Sequence, residues 1–139
     1  MRYLFILILL ASCAMDAEPV KVDYGQARLY TIRAWQEIVG SVSDVCRDYS
    51  KTIVVEEVED IPNDSEGMTT VGRFIYDESR ILIATEDRDG WDRMHSAIHE
   101  YIHVLDWCVN SKKDKNHVDS TLWEDYGENT VEAVANDYL

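Results

Sequence analysis

The stretch Trp91-Asp-Arg-Met-His-Ser-Ala-Ile-His-Glu-Tyr-Ile-His-Val-Leu-Asp-Trp-Cys-Val-Asn110 decides how this chain folds. Its apolar side chains recur at helical spacing and form one stripe: Trp91, Met94, Ile98, Ile102 and Leu105. A second, polar stripe runs beside it: His95, His99, His103 and Asp106. Asp87 or Asp89, followed by Gly90, supplies a helix start. The pattern predicts an amphipathic helix that presents imidazoles along one face.

Within this helix, His99-Glu100-Tyr101-Ile102-His103 is an HExxH motif. Residues four apart lie on the same side of a helix, so the two imidazoles can hold one metal ion. Glu100 lies beside them, where it can take a proton from a metal-bound water. The motif therefore predicts metal-assisted hydrolysis, most naturally of a peptide bond. The alternative is a helix whose histidines are ordinary polar groups near a core.

A catalytic zinc site needs a third protein ligand and one open position. The candidates downstream of the motif are His117, Asp119, Glu124, Asp125, Glu128 and Glu132. Residues 128–139 read as a helix, because Val131, Val134, Ala135 and Tyr138 recur at helical spacing. Glu132 borders that apolar face, and a carboxylate there needs a partner such as a metal. Glu128, one turn earlier on the same side, is the competing ligand.

The order His99-Glu-x-x-His103-x-x-Asp106, then Glu132-Ala-Val-Ala135, resembles the gluzincin zinc metallopeptidases. It is most similar to the group that contains the anthrax lethal factor protease domain and the Pro-Pro endopeptidases. The resemblance implies that His99, His103 and Glu132 bind Zn²⁺ and that Glu100 is the general base. It also implies that Asp106 orients a ligand imidazole.

The same family has a catalytic tyrosine about two helical turns before the ligand glutamate. Tyr126 lies near that place, one residue closer than the family spacing, and is the candidate for this role. An ordinary half-buried tyrosine is the other interpretation. A similar pattern, echoed here by Ala135-Asn136, also occurs in a group of phage and stress-regulator proteases.

The first residues resemble a lipoprotein signal. Leu4 to Leu10 is an apolar run too short to span a bilayer, and Leu10-Ala-Ser-Cys13 matches a bacterial lipobox. We expect residues 1–12 to be a signal peptide, residues 13–24 a tether lipidated at Cys13, and residues 25–139 the metallopeptidase domain. A plain secretory signal and an uncleaved anchor are the alternatives. Each predicts export to the bacterial cell envelope or periplasm, and Ala14 favours the outer membrane.

The formal net charge of −14 over 139 residues limits the classes of partner that the chain can bind. It argues against nucleic-acid binding, which depends on Lys and Arg. It argues equally against electrostatic attachment to anionic lipid, which leaves the lipid anchor at Cys13 as the expected membrane contact. A peptide or protein substrate is the remaining partner.

Two cysteines remain besides Cys13. Cys108 lies at the end of the motif helix and Cys46 in an upstream helix. In an oxidising compartment they can form a disulfide that joins the two helices. The other interpretation is a pair of buried free thiols.

The remaining elements complete an α+β fold. Residues 24–49 read as one long helix or as a helix broken at Gly40, and residues 52–58 as a strand. Residues 61–70 read as a loop, and residues 72–76 and 80–84 as a hairpin. The order resembles a minimal zincin-like domain, a small twisted β-sheet packed on the HExxH helix with flanking N- and C-terminal helices. In zincins an edge strand pairs with an extended substrate, and the hairpin is where that edge is expected.

These features together predict an exported zinc-dependent endopeptidase. The alternative, from a different class, is a non-catalytic zinc-stabilised lipoprotein that acts as a binding or inhibitor module. Glu100 favours the enzyme, because a structural zinc site needs no base. Two other histidines have secondary expectations. His117 is a candidate donor to the transition state, and His95 is expected to be a capping or surface residue, with a supporting group or part of the cleft wall as the alternative.

Overall fold

A long helix and a small mixed sheet form the frame of the domain. The computed structural model describes residues 21–63, 69–111, 113, 117 and 136–139. The helices are α1 (Tyr24–Val39), α2 (Asp44–Thr52) and α3 (Gly90–Asn110). The strands are β1 (Val54–Val58), β2 (Gly72–Ile75) and β3 (Arg80–Ala84), with a 3-10 turn at Tyr76–Glu78. The predicted α+β class is confirmed.

Capping residues decide where the helices begin and end. The Asp23 carboxylate accepts hydrogen bonds from the Gly25 and Gln26 amides at the start of α1. Gly40 ends α1 with a φ of 84°, a left-handed conformation that suits glycine. Ser43 then caps α2. Of the two predicted forms, the helix is therefore the broken one.

The sheet order is β1-β3-β2. β1 runs parallel to β3, and β2 runs antiparallel to β3 with Phe74 opposite Ile81. β2 therefore lies at an edge of the sheet formed by the described residues, as expected for the hairpin. Ser79, with a φ of 49°, closes the turn between β2 and β3.

Two apolar clusters hold these elements together. The first lies between the sheet and α3 and includes Phe74, Ile81, Ile83, Ile98 and Val104. The second joins α1, α2 and α3 and includes Ile32, Trp35, Cys46, Ile102 and Leu105. α3 contributes to both clusters, so it is the central element of the domain. The stripe of imidazoles on α3, His95, His99 and His103, faces the β2 edge of the sheet.

The predicted disulfide between Cys46 and Cys108 is present, with Cα atoms 5.7 Å apart. It ties α2 to the C-terminal end of α3, and Cys46 is buried in the second cluster. No helix among the described residues is long and apolar enough to cross a membrane. The predicted signal peptide and most of the tether lie outside the described residues, as does most of the predicted C-terminal helix, of which residues 136–139 are described.

Candidate metal centre

Three imidazoles converge beside α3. His99 and His103 lie one turn apart on this helix, as the motif predicts. The Nε2 atom of His117 lies 3.2 Å from Nε2 of His99 and 3.0 Å from Nε2 of His103. All three side chains therefore offer a nitrogen within 4.8 Å of one another, close enough to hold one metal ion. His117 is the third member that the described part of the chain brings to the motif.

The preferred third ligand, Glu132, lies outside the described residues, as do Glu128, Asp119, Glu124, Asp125 and Tyr126. His117 was one of the downstream candidates, but no periodic pattern distinguished it. One feature of the composition does point to His117. The chain has four histidines, and His117 is the one that follows the motif helix.

The chain turns back sharply after α3 to bring His117 to the site. Ser111 caps the helix in a left-handed conformation with a φ of 56°, and its amide donates to the Trp107 carbonyl. Beyond it, Lys113 Nζ lies 2.8 Å from Asp77 Oδ1 and 5.6 Å from the ring centres of Tyr76 and Trp107. Lys113 thus attaches the segment after α3 to the turn between β2 and β3.

The two imidazoles of α3 are held in the neutral form. Burial, with the neighbouring His117 and His95, lowers the pKa of His99 to about 3. Burial, with His99 and His117, lowers the pKa of His103 well below its usual range. Metal ligation requires neutral imidazole, so these residues need lose no proton to bind a cation at neutral pH. Neutral imidazoles suit Zn²⁺ but also Cu, Fe and Ni ions, so the donor set fits a transition metal without identifying it.

Glu100 lies beside the imidazoles and is pressed against β2. Its carboxylate accepts a hydrogen bond of 2.7 Å from the Phe74 amide. Burial raises the pKa of Glu100 to about 8, while this hydrogen bond and the charge of Arg73 act in the opposite direction. A cation held by the histidines would favour the ionised carboxylate and lower this pKa further. The side chain is thus placed for proton transfer near neutral pH.

An open cleft of about 710 Å³ runs between α3 and β2 past these groups. Gly72 and Phe74 of β2 line one wall, and His95, His99 and His103 of α3 line the other. His95 therefore belongs to the cleft wall rather than to a remote surface. Its ring stacks on Trp91 with centres 5.3 Å apart.

Asp106 is buried at 1% exposure on the same helix face as His99 and His103. It accepts a hydrogen bond of 2.6 Å from Asn110. Its predicted role, to orient a ligand imidazole, stays a prediction.

Comparisons with known proteins add nothing to these observations: the chain matches no family model, no curated protein and no solved structure.

Proposed function

We propose that this protein is an exported zinc-dependent endopeptidase of the gluzincin type. One observation carries the proposal. The buried carboxylate of Glu100 and the imidazoles of His99, His103 and His117 meet in an open cleft beside an edge strand. A structural metal site would need the imidazoles but neither the carboxylate nor the cleft.

His99 and His103 would hold the metal, with a third ligand from the segment after α3. His117 is the described candidate; Glu132, with Glu128 as its competitor, is the candidate from the family resemblance. Three protein ligands would leave one position open to solvent or substrate. When bound, Zn²⁺ would act as a Lewis acid that lowers the pKa of water and polarises a carbonyl group.

Glu100 would carry the proton. Its carboxylate takes the proton from the attacking water and delivers it to the amine that leaves. The Phe74 amide, 2.7 Å from one carboxylate oxygen, holds the side chain at a fixed place on the cleft wall. Tyr126 is proposed to stabilise the oxyanion.

The edge strand β2 would bind the substrate backbone. The Ala84 amide donates to the Val71 carbonyl across the β2–β3 pair, so alternate residues of β2 point their backbone groups toward β3. Gly72 points its amide and carbonyl away from β3, toward the cleft. Phe74 points its carbonyl the same way, while its amide donates to Glu100. An extended peptide could add to this edge and pass the zinc ligands.

Glu100→Gln tests the enzyme against the binding module. The variant should keep its zinc content while hydrolysis of a mixed peptide library, followed by mass spectrometry, falls by about 10²-fold or more. Glu37→Gln, at an exposed position of α1 away from the cleft, is the matched control and should leave hydrolysis unchanged. Unchanged hydrolysis in Glu100→Gln would overturn the assignment, and zinc binding without any hydrolysis in the wild type would favour the module.

The third ligand is tested by zinc content. His117→Ala, Glu132→Ala and Glu128→Ala are compared with the wild type after purification with Zn²⁺ and dialysis. The variant that loses zinc while remaining folded identifies the ligand, and His117→Ala is expected to do so.

We further propose that the protein is anchored in the bacterial envelope through a lipid at Cys13. The disulfide between Cys46 and Cys108 supports an oxidising compartment. Cys13→Ser should move the protein from the membrane fraction to the soluble periplasmic fraction. A membrane fraction that keeps the Cys13→Ser protein would contradict the lipid anchor.

A further inference from the structure

The charges lining the cleft differ from those of the whole chain. The chain has 27 acidic residues against 13 Lys and Arg. Several of its cations pair with carboxylates, as Arg47, Lys51, Arg80, Arg93 and Lys113 do. Arg73 and Arg88 line the cleft, and neither forms an ion pair with a carboxylate of the described residues. Arg28 and Arg33 of α1 also lack an ion pair among the described residues, so what distinguishes Arg73 and Arg88 is their position in the cleft.

Arg88 is held in a fixed place. Its Nη2 atom donates to the Asp92 carbonyl at 2.6 Å and to Ser96 Oγ at 2.5 Å. Its Nε atom is buried and has no acceptor among the described residues. The contacts on Nη2 are neutral, so the positive charge is not compensated by them. A guanidinium that is already oriented loses little entropy when it binds a planar carboxylate.

The position of Arg88 relates it to the proposed reaction centre. Ser96, to which it donates, precedes His99 by less than one turn of α3. By the rise of about 1.5 Å per residue, the guanidinium at Ser96 lies about 5 Å along the helix axis from His99 and about 10 Å from His103. An extended peptide advances about 3.3 Å per residue, so this offset corresponds to about one to three residues from the bond that is cut.

Other charges near Arg88 restrict where an anion can bind. A second groove on its far side is lined by four acids: Glu59, Asp60, Glu86 and Asp87. These repel an anion that approaches from that groove. Inside the cleft, Asp77 is bound to Lys113, and Arg73 lies close enough to Glu100 to lower its pKa. The cleft side of Arg88 is therefore where a negative group is favoured.

We propose that Arg88 is an anion-binding subsite, and that the substrate carries a carboxylate within about three residues of the cleaved bond. This rests on the proposed peptidase function and adds the substrate class to it. The carboxylate can belong to an Asp or Glu side chain or to the end of a peptide. Both present the same planar group to the guanidinium fork.

The test uses peptide hydroxamates, whose metal-binding group anchors them at the zinc site. Three are compared on the full chain loaded with Zn²⁺: one with a Glu amide, one with a Gln amide, and one with a Gln free acid. Each is made with the peptide on either side of the hydroxamate, because the direction of the cleft is not assumed. Calorimetry gives the dissociation constants for the wild type, Arg88→Gln and Arg47→Gln. Arg47 lies on α2, so its variant removes the same charge far from the cleft.

A carboxylate-bearing hydroxamate should bind the wild type about tenfold to a hundredfold more tightly than the Gln amide. Arg88→Gln should abolish this preference, and Arg47→Gln should keep it. The Glu amide and the Gln free acid distinguish a side-chain carboxylate from a terminal one. Should Arg88→Gln not fold, Arg88→Lys keeps the charge, and its loss of the fork should reduce the preference.

Equal affinity of all three hydroxamates for the wild type would overturn the proposal, as would a preference that persists in Arg88→Gln. Absence of any hydroxamate binding is a different result. It would show that no accessible metal is present and would overturn the proposed function itself.

Discussion

At the scale of single residues, Gly72 is required by the position of Glu100. A Cβ atom at Gly72 would lie 2.9 Å from Glu100 Oε1 and 3.0 Å from its Cγ. Both distances are too short for ordinary contacts, so any larger residue must displace the carboxylate. The amide of Phe74, two residues further along β2, donates a hydrogen bond to the same carboxylate. The strand and the Glu100 carboxylate thus fit only because this position has no side chain.

Gly72→Ala should therefore lower kcat while zinc content stays at the wild-type level. A displacement of about 1 Å can cost about 10²-fold in rate, and a loss of that order is expected. KM should change little, since Gly72 acts through Glu100. Val71→Ala, at a neighbouring exposed position, is the control for altering the strand. A normal kcat in Gly72→Ala would show that Glu100 has another place to lie.

The pKa of His99 predicts a pH dependence for the metal-free protein. Its folded pKa of about 3 lies below the ordinary value of 6.5. The unfolded chain therefore takes up a proton first as pH falls, and stability present above about pH 6.5 is lost progressively toward pH 3. In EDTA, His99→Gln should show a shallower fall in Tm between pH 7 and pH 4 than the wild type. Identical slopes for His99→Gln and the wild type would refute this assignment.

At the scale of elements, the segment after α3 is joined to the β2–β3 turn by Lys113. Its ammonium group meets Asp77 and the rings of Tyr76 and Trp107. The Lys113 and Asp77 side chains are 44% and 86% exposed, so their ion pair contributes at most about 1 kcal/mol. The two ring contacts add about 0.5–1 kcal/mol. These contacts of Lys113 contribute little free energy. They lie only four residues before His117, however, and so bear on where its imidazole is placed.

Lys113→Met should weaken zinc binding by about threefold to tenfold, because His117 loses part of its positioning while the apolar stem is kept. A competition titration with a zinc-binding dye measures the change. Lys51→Met removes a comparable exposed ion pair on α2 and should leave zinc affinity as it is. Equal zinc affinities in Lys113→Met and the wild type would mean that His117 is positioned by other contacts.

At the scale of the whole molecule, the disulfide closes a long loop around the domain. Cys46 and Cys108 are 62 residues apart, and all three strands lie between them. Closing a loop of that length lowers the conformational entropy of the unfolded chain, which stabilises the folded state by about 4 kcal/mol. This is a large part of the stability of a small domain.

Replacing both cysteines with serine should therefore lower the free energy of unfolding by about 4 kcal/mol, measured by urea titration. Zinc binding should persist wherever the variant is folded, because neither cysteine belongs to the imidazole cluster. Reduction of the wild type should produce the same loss. A variant as stable as the oxidised wild type would show that the bridge adds no constraint.

Several features could be predicted from the sequence because their causes are local. The periodicity of residues 91–110, the helix start at Asp87 or Asp89 and the β-branched strands depend on near neighbours along the chain; the structure places the N-cap at Asp89. The HExxH spacing places His99, Glu100 and His103 together through one helical turn. The order β1-β3-β2 and the choice of a broken helix at Gly40 follow less directly. They required knowledge of which apolar faces meet.

The tertiary structure alone decided which distant residues complete the cleft. His117 reaches the motif because the chain reverses after Ser111, and no spacing rule predicts that path. Gly72 and Arg88 carry no motif at all. Gly72 matters because β2 approaches Glu100 closely at this position. Arg88 matters because its guanidinium lines the cleft without an ion pair to a carboxylate of the described residues. Local sequence thus determined the helix that bears the HExxH motif, whereas contacts between residues far apart in the chain determined what surrounds it.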